Sequence, residues 1–388
     1  MQIGFDPVPI GGYFGNSTYT TELIRALGKT CPGHRYFVPA YFGTGRVLQR
    51  HFDKADCIKI LPIIPNPSML GNPFKKRLTA WGRAIECKKA KTSYDIYHCT
   101  NPVLFNDCRP KTVVTIHDLI PLLDEPTWAS SRERNYYKAT IESILRKGSA
   151  IIADSRSTKK SIVERFSWCE EKIRVIPLAA GRQFAAMPDN RPLLAKYGLA
   201  GNGKPFMMSV GVFTERKNMP FFLEAYAGLP NDIREGVNIL LAGNRRKNKP
   251  YPQIVDCIAR NHLEKNVFVI PNIPQHDLVA LYAMALCLVF PSLYEGFGLP
   301  VLEAMACGCP VITSSTTSLP EVGGDAALYI DPLEPASLRA ALERMLCDDG
   351  LRKALKAKGL SRAREFSWEK TAAMTNAVYE EVMNCTVD

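Results

Sequence analysis

Short apolar runs recur along the chain, each followed by a longer stretch in which apolar positions return every three or four residues. In the first half the runs fall at Gln2–Phe5, Tyr36–Pro39, Cys57–Ile60, Ile96–Cys99, Val113–Ile116, Ala150–Ala153 and Ile173–Ile176. Their shortness and continuous hydrophobicity predict strands buried on both faces, as in parallel sheets. Between them, Thr18–Leu27, Lys75–Ala90, Arg132–Lys147 and Thr158–Phe166 carry the helical period. The turn-rich Pro188-Asp-Asn-Arg-Pro192 reads as a linker. After it the pattern restarts, with strands near Phe206–Val210, Asn238–Ala242, Val267–Ile270, Leu286–Phe290 and Val311–Thr313. This alternation predicts α/β architecture: two similar doubly wound domains, residues 1–185 and 186–365. From Phe366 onward, Ser367 offers an N-cap for a last helix through Met383.

The richest stretch runs from Leu286 to Thr313. An apolar strand ends at Pro291, and a loop with two glycines follows, Ser292-Leu-Tyr-Glu-Gly-Phe-Gly298. Pro300 then opens a helix, Gly308 stops it, and Pro310–Thr313 reads as the next strand. Such a βαβ unit binds ligands at the carboxyl ends of its strands, where helix N-terminal amides attract anions. Glu303 falls in the first turn of the expected helix, a place the helix dipole itself favours for an acid. Glu295 has no such excuse, since it stands before Gly296 and Gly298, which let a backbone approach a ligand closely. Two acids beside an open backbone suit a ligand rich in hydroxyls.

Composition narrows the class. The chain has 388 residues, 46% hydrophobic and 22% charged, as expected of a soluble two-domain protein. The apolar run that includes Ala280–Phe290 is far short of a membrane span. The start already reads as a strand, so no signal peptide is expected, and twelve cysteines without a C-x-x-C pair suggest reduced thiols. These features predict the cytoplasm. Charge is uneven: residues 1–190 carry 28 Lys+Arg against 17 Asp+Glu, and residues 191–388 carry 21 against 21, so the whole net +11 belongs to the first half. Such asymmetry points to a nucleic acid or an anionic membrane.

Three further constellations carry chemistry. Gly211-Val-Phe-Thr-Glu-Arg-Lys217 joins a strand to a helix, where Arg216 and Lys217 would hold a diphosphate. Gly11-Gly12 follows the first strand and lets backbone amides approach a phosphate. His117 and Asp118 end the apolar strand Val113–Ile116. No D-x-D occurs, so a metal clamp on a diphosphate is not expected, and cations with helix amides must serve instead.

Glu295 and Glu303, with seven residues between them, resemble the E-x7-E motif of family 4 retaining glycosyltransferases, of GT-B fold. The whole context Ser-Leu-Tyr-Glu-Gly-Phe-Gly-Leu-Pro-Val-Leu-Glu-Ala-Met-Ala is similar to theirs. So is Phe366-Ser-Trp-Glu-Lys-Thr-Ala372, and Thr115-Ile-His-Asp-Leu-Ile-Pro121 resembles a segment of mannosyltransferase-like members. The resemblance covers nearly the whole chain and implies two Rossmann-like domains with an interdomain cleft. The first would bind the acceptor and the second a nucleotide-sugar, with the helical segment 366–388 crossing back to the first. It implies that Glu303 binds ribose hydroxyls and Glu295 sugar hydroxyls, with the amides of Phe297, Gly298 and Leu299 near the sugar. Gly211 belongs to the family's G-x(4–6)-K loop, so Arg216 and Lys217 would contact the donor phosphates, as would Gly12. His117 would lie beside the donor sugar, and Asp118 would orient the loop or touch the acceptor. Val212 stands where many relatives have Arg, and the Gly11-Gly12 loop lacks the usual arginine.

The implied reaction moves a hexose, with retention, from GDP-mannose to a saccharide acceptor in polysaccharide or O-antigen-type synthesis. Neither metal nor cofactor is expected. A UDP-sugar donor, or a sugar phosphorylase of the same fold, is the near alternative. A basic nucleic-acid-binding α/β protein is the distant one, but no basic platform interleaved with aromatics is visible, so no nucleic-acid partner is expected. Pro73–Thr92 instead carries Lys75, Lys76, Arg77, Arg83, Lys88, Lys89 and Lys91 against the single acid Glu86, with Leu78, Trp81 and Ile85 at helical spacing. This predicts a helix that docks on an anionic membrane and a lipid-linked acceptor, on the cytoplasmic face.

Overall fold

The computed structural model describes residues 1–6, 15–41, 52, 55–64, 94–102, 111–123, 130–187, 190–201, 203–243 and 251–385. The expected helix Lys75–Ala90, with Lys75, Lys76, Arg77, Trp81, Arg83, Lys88 and Lys89, lies outside them, and so does Gly12. Contacts divide the chain into two units. One comprises Met1–Leu122, Ala129–Leu178 and Ser367–Asp388, the other Leu123–Trp128 and Ala179–Phe366. Among the described residues no helix is long and apolar enough to cross a membrane.

The first unit is built on a parallel sheet of seven strands: β1 (Gln2–Phe5), β2 (Arg35–Tyr41), β3 (Ile58–Ile64), β4 (Ile96–Cys99), β5 (Thr112–Ile116), β6 (Ala150–Ala153) and β7 (Ile173–Val175). Their order is β3-β2-β1-β4-β5-β6-β7, with Ile3 paired to Tyr36 on one side and to Ile96 on the other. The chain therefore winds outward from β1, returns, and reverses between β1 and β4. Strand β3 runs beyond the expected Ile60 to Ile64 and takes in Pro62, which an edge strand tolerates.

Helix Ser131–Lys147 begins with a reciprocal cap between Ser130 and Glu133 and buries Ile141, Ile144 and Leu145, one face of its period. These pack with Val114, Ile116 and Ile151 of the sheet, each fully buried side chain contributing about 1.5–3 kcal/mol. Helix Trp368–Asn384, capped by Ser367, belongs to this unit although it ends the chain. Trp368, Ala372, Thr375, Tyr379 and Val382 form its buried stripe. Its Thr371 hydroxyl donates to the Pro177 carbonyl at 2.7 Å, and Tyr379 hydrogen-bonds His98 of β4 at 2.6 Å.

The second unit holds six parallel strands: β8 (Phe206–Val210), β9 (Asn238–Gly243), β10 (Val267–Pro271), β11 (Leu288–Phe290), β12 (Val311–Ser314) and β13 (Ala327–Ile330). Their order, β10-β9-β8-β11-β12-β13, repeats the outward-and-back winding, with the reversal between β8 and β11. Strand β13 was not expected from the sequence. It is an edge strand whose Leu328 and Tyr329 stay half-exposed, and its apolar run Ala326–Ile330 was passed over. The core joins Met207, Ile239, Leu241, Val289 and Ile312 of the sheet to Phe222, Leu223 and Tyr226 of helix Met219–Ala227 and to Leu338 and Leu342 of helix Pro335–Cys347.

Candidate functional site

Each reversal of strand order leaves two neighbouring loops diverging at the carboxyl ends of the strands, the usual ligand position in α/β sheets. In the second unit these loops leave β8 and β11. Gly211 follows β8 with φ +148°, and a Cβ there would lie 3.0 Å from Lys217 Cε. Only glycine lets the Lys217 side chain fold back over that turn. Asn218, left-handed at φ 57°, then turns the short 3-10 segment Glu215–Lys217 into helix Met219–Ala227. From β11 the chain passes to Gly298, at φ +110°, which begins helix Leu299–Ala306. Two bonds stitch the loops together: the Leu293 amide donates to the Arg216 carbonyl at 2.9 Å, and the Arg216 guanidinium donates to the Tyr294 carbonyl.

Glu295 is the centre of this arrangement. Its Oε1 lies 2.5 Å from Lys217 Nζ and 2.7 Å from Arg216 Nη1, with Lys217 and Glu295 each only 8% exposed. Burial by itself raises the Glu295 carboxyl, but Arg216 and Lys217 outweigh it and hold the group below its ordinary value. Lys217 Nζ also sits 4.4 Å from the centroid of the Phe290 ring. Behind Glu295, the loop after β12 fixes the backbone: the Glu295 amide donates to Thr317 Oγ1 at 3.2 Å. The Ser318 hydroxyl shares its proton between the carbonyls of Glu295 at 2.9 Å and Phe297 at 2.8 Å. Two cations thus share one carboxylate beside a helix N-terminus, an arrangement with surplus positive charge for an anionic ligand.

Glu303 lies apart from this cluster. It is the fifth residue of helix Leu299–Ala306, so it stands beyond the first turn where the sequence reading placed it, and the helix dipole does not account for it. Glu303 is half-buried, and burial pushes its carboxyl up to about 7. The Tyr282 hydroxyl is near enough to influence that carboxyl, yet among the described residues it makes no hydrogen bond of ordinary geometry.

In the first unit, four adjacent strands each deliver a polar group at the carboxyl end: Asp6 after β1, Thr100 after β4, His117 after β5 and Asp154 after β6. The Thr100 amide and hydroxyl both donate to Asp6 Oδ1, at 2.6 and 2.7 Å. Burial pushes the Asp6 carboxyl up to about 6 in spite of those bonds. His117 Nε2 lies 3.0 Å from the Thr100 carbonyl, and Nδ1 lies 2.6 Å from Asp154 Oδ2. Burial works against charge on the ring, but Asp154 outweighs it and His117 is raised above its ordinary value. The Thr158 hydroxyl donates to the His117 carbonyl at 3.1 Å, and Tyr19 stands edge-on to the ring at 4.9 Å. Asp118 accepts from the Ile120 amide at 2.9 Å and so shapes the turn after β5.

The structure therefore brings Arg216, Lys217, Gly211 and Glu295 together in one unit and His117 with Asp118 in the other. Sequence reasoning missed Asp6, Thr100, Asp154, Tyr282, Thr317 and Ser318. For two of them a signal existed: Asp6 and Asp154 each stand directly after an apolar strand, as His117 does.

Comparison with known proteins bears on both units. Residues 15–179 match the family model described as Glycosyltransferase Family 4, and residues 192–362 match Glycosyl transferases group 1. The chain is 34% identical over 287 residues to O-antigen chain mannosyltransferase B of Escherichia coli, covering 74% of each protein. It is 32% identical over 272 residues to the serotype-specific mannosyltransferase WbdA of Escherichia coli, covering 68% of this chain and 32% of that protein. Among solved structures, sucrose-phosphate synthase from Thermosynechococcus elongatus superposes with a TM-score of 0.76 at 21% identity, over 99% of this chain and 100% of that one. Anabaena HepE in complex with UDP and glucose gives 0.77 at 17% identity, over 98% and 100%. At such identities the structural likeness establishes the fold alone, which is GT-B.

Proposed function

The chain belongs to the family 4 glycosyltransferases, and on that premise we propose that it moves mannose, with retention, from GDP-mannose to a lipid-linked saccharide. The observation that carries this reading is the Arg216–Glu295–Lys217 cluster at the reversal between β8 and β11, with Glu303 in the helix that follows. Breaking a glycosyl–phosphate bond leaves negative charge on the departing diphosphate. Arg216, Lys217 and the amides of Phe297, Gly298 and Leu299 supply positive charge in a site already largely dry, where it acts strongly. Glu303 would receive the ribose hydroxyls and Glu295 those of the sugar. Glu295 has a second task, since its carboxylate holds Lys217 in place. The acceptor hydroxyl attacks from the face the phosphate leaves, and its proton passes to a phosphate oxygen. Gly12 remains a proposed phosphate contact, and Asp118 a proposed acceptor-side residue besides its turn.

The names of the two Escherichia coli relatives favour mannose over glucose and O-antigen-type polysaccharide as the product. The basic excess of residues 1–190, 28 against 17, supports attachment to the cytoplasmic face of an anionic membrane through Lys75, Lys76, Arg77, Trp81, Arg83, Lys88 and Lys89. Metal independence is proposed from the absence of any D-x-D in the sequence. One experiment in several arms tests the reading. GDP-mannose, UDP-glucose and related donors are offered with free or lipid-linked saccharides, on anionic vesicles at low and high salt, with and without EDTA. Transfer should be greatest from GDP-mannose to lipid-linked saccharide, fall with salt and survive EDTA. Transfer only from UDP-sugars, or equal transfer to free saccharide at any salt, would sink the donor or the membrane assignment respectively.

A further inference from the structure

We propose that Asp154 is a positioning residue that keeps His117 doubly protonated, so that the ring serves the reaction as a fixed cation and never as its base. This rests on the glycosyltransferase reading above. The geometry is restrictive. Nε2 faces the Thr100 carbonyl at 3.0 Å and Nδ1 faces Asp154 Oδ2 at 2.6 Å. A carbonyl oxygen and a carboxylate oxygen can only accept, so both ring nitrogens must donate. Either neutral tautomer would aim a nitrogen lone pair at an acceptor, leaving a buried polar contact unmade.

Asp154 needs the ring as much as the ring needs it. The residue is 2% exposed, and its other oxygen, Oδ1, has no hydrogen-bond partner among the described residues. An isolated buried carboxylate is costly, so the imidazolium is what makes this one tolerable. The other groups around the ring contribute less: the Asp118 charge and the Thr100 carbonyl also favour the imidazolium, but after Asp154. Asp118 adjoins His117 in sequence and its carboxylate is engaged by the Ile120 amide, while Asp6 is bound by Thr100. Tyr19 presents a ring and donates or accepts at Thr115, 2.8 Å away. His98 on β4, between Tyr379 and Thr115, is pushed down to about 3 by burial and carries no charge near neutrality.

Two consequences follow for the transfer. With no free lone pair, His117 cannot take the proton of the acceptor hydroxyl. Its charge, with 14% of the side chain still exposed at the end of β5, remains available to an anionic group. The proton of the acceptor must then go to the leaving phosphate, and no bond to His117 forms or breaks.

The test joins spectroscopy to a pH profile. In wild-type protein, 15N-labelled His117 should show both ring nitrogens protonated from pH 6 to pH 8.5. Asp154→Asn keeps size and an acceptor but removes the charge, so His117 should titrate within that window. Turnover of the variant should be near wild type at pH 6 and fall about tenfold or more by pH 8.5 beyond any wild-type change. A neutral His117 in wild-type protein at pH 7.5 overturns the proposal. So does an Asp154→Asn enzyme whose turnover is unchanged, or is lowered equally at every pH. Should that variant not fold, the wild-type spectrum alone decides. If no nucleotide-sugar supports transfer, the functional reading fails while the spectrum still judges the protonation of His117.

Discussion

The polar groups at the strand ends of the first unit are Asp6, Thr100, His117 and Asp154; those of the second are Arg216, Lys217 and Glu295. Asp6 and Thr100 flank the reversal of strand order in their sheet, with His117 and Asp154 on the next two strands. Arg216, Lys217 and Glu295 flank the reversal in theirs, and both sets place cations against carboxylates. They differ in what controls their charge. Asp6 is raised to about 6, so the first unit holds a carboxyl that changes state near neutral pH, beside an imidazole that Asp154 raises above its ordinary value. In the second, Arg216 and Lys217 hold Glu295 below its ordinary value, so that carboxylate stays ionised near neutrality. A permanent charge suits a ligand that is always anionic, such as a diphosphate. A titratable one suits a step whose balance shifts during reaction. Glu303, at about 7, is the exception in the second unit and lies outside the ion cluster.

The largest expected effect breaks the fixed cluster. Lys217→Ala should lower kcat/KM by roughly 100-fold or more, because one preorganised charge at the departing phosphate is lost. Folding should survive, since Lys217 sits in a loop segment whose backbone is held by other bonds, Leu293 to Arg216 among them. A folded Lys217→Ala enzyme with near-normal turnover would mean that the phosphates bind elsewhere. Glu295→Gln sharpens the same point. Without the competing carboxylate, Arg216 and Lys217 should bind nucleoside diphosphate as well as or better than wild type, while turnover falls.

The next effect tests the exception. If ribose hydroxyls donate to an ionised Glu303, a carboxyl pushed up to about 7 must lose its proton before the nucleotide binds. Affinity for nucleoside diphosphate should then rise by about tenfold between pH 6 and pH 8, the change in the ionised fraction. Calorimetric titration of wild type and Glu303→Gln at both pH values separates this from ionisation of the ligand itself, which both proteins share. Equal pH dependence in the two would remove Glu303 from the ribose.

How legible all this was in the sequence depends on the kind of information. Continuous apolar runs revealed nearly all the strands, because parallel strands are buried on both faces. The half-covered edge strand β13 has a run as short as the others, Ala326–Ile330, and it was not singled out. Glu295, Lys217 and His117 could be singled out because each stands in a loop after a strand, where no helix or core requires it. Their partners could not. Asp154 meets His117 only because β5 and β6 are neighbours, and Thr317 meets Glu295 only because the loops after β11 and β12 are. Such pairs are set by strand order. Nor could the periodic pattern tell that Glu303 is the fifth residue of its helix and not the fourth, since boundaries shift by a residue or two with cap geometry.

The smallest effect concerns stability and separates the two units most directly. Asp6 has a folded value of about 6 against an ordinary 3.8, so folding favours its protonated form. That contribution is fully present below 3.8 and is lost as pH rises through about 6. Between pH 5 and pH 7.5 the loss amounts to about 1.4 kcal/mol by linkage from those two values. His117 acts in the same direction, because a raised imidazole also loses its stabilising proton as pH rises through its folded value. Glu295 acts oppositely and elsewhere: a lowered carboxyl stabilises above its unfolded value and gives that up only as pH falls through its folded one. Wild-type stability should therefore decline from pH 5 to pH 7.5. Asp6→Asn should decline by about 1 kcal/mol less, with Thr100 still able to donate to the amide oxygen. Urea unfolding at the two pH values measures it. The same slope in Asp6→Asn and wild type would place the proton linkage on His117 and Glu303 rather than on Asp6.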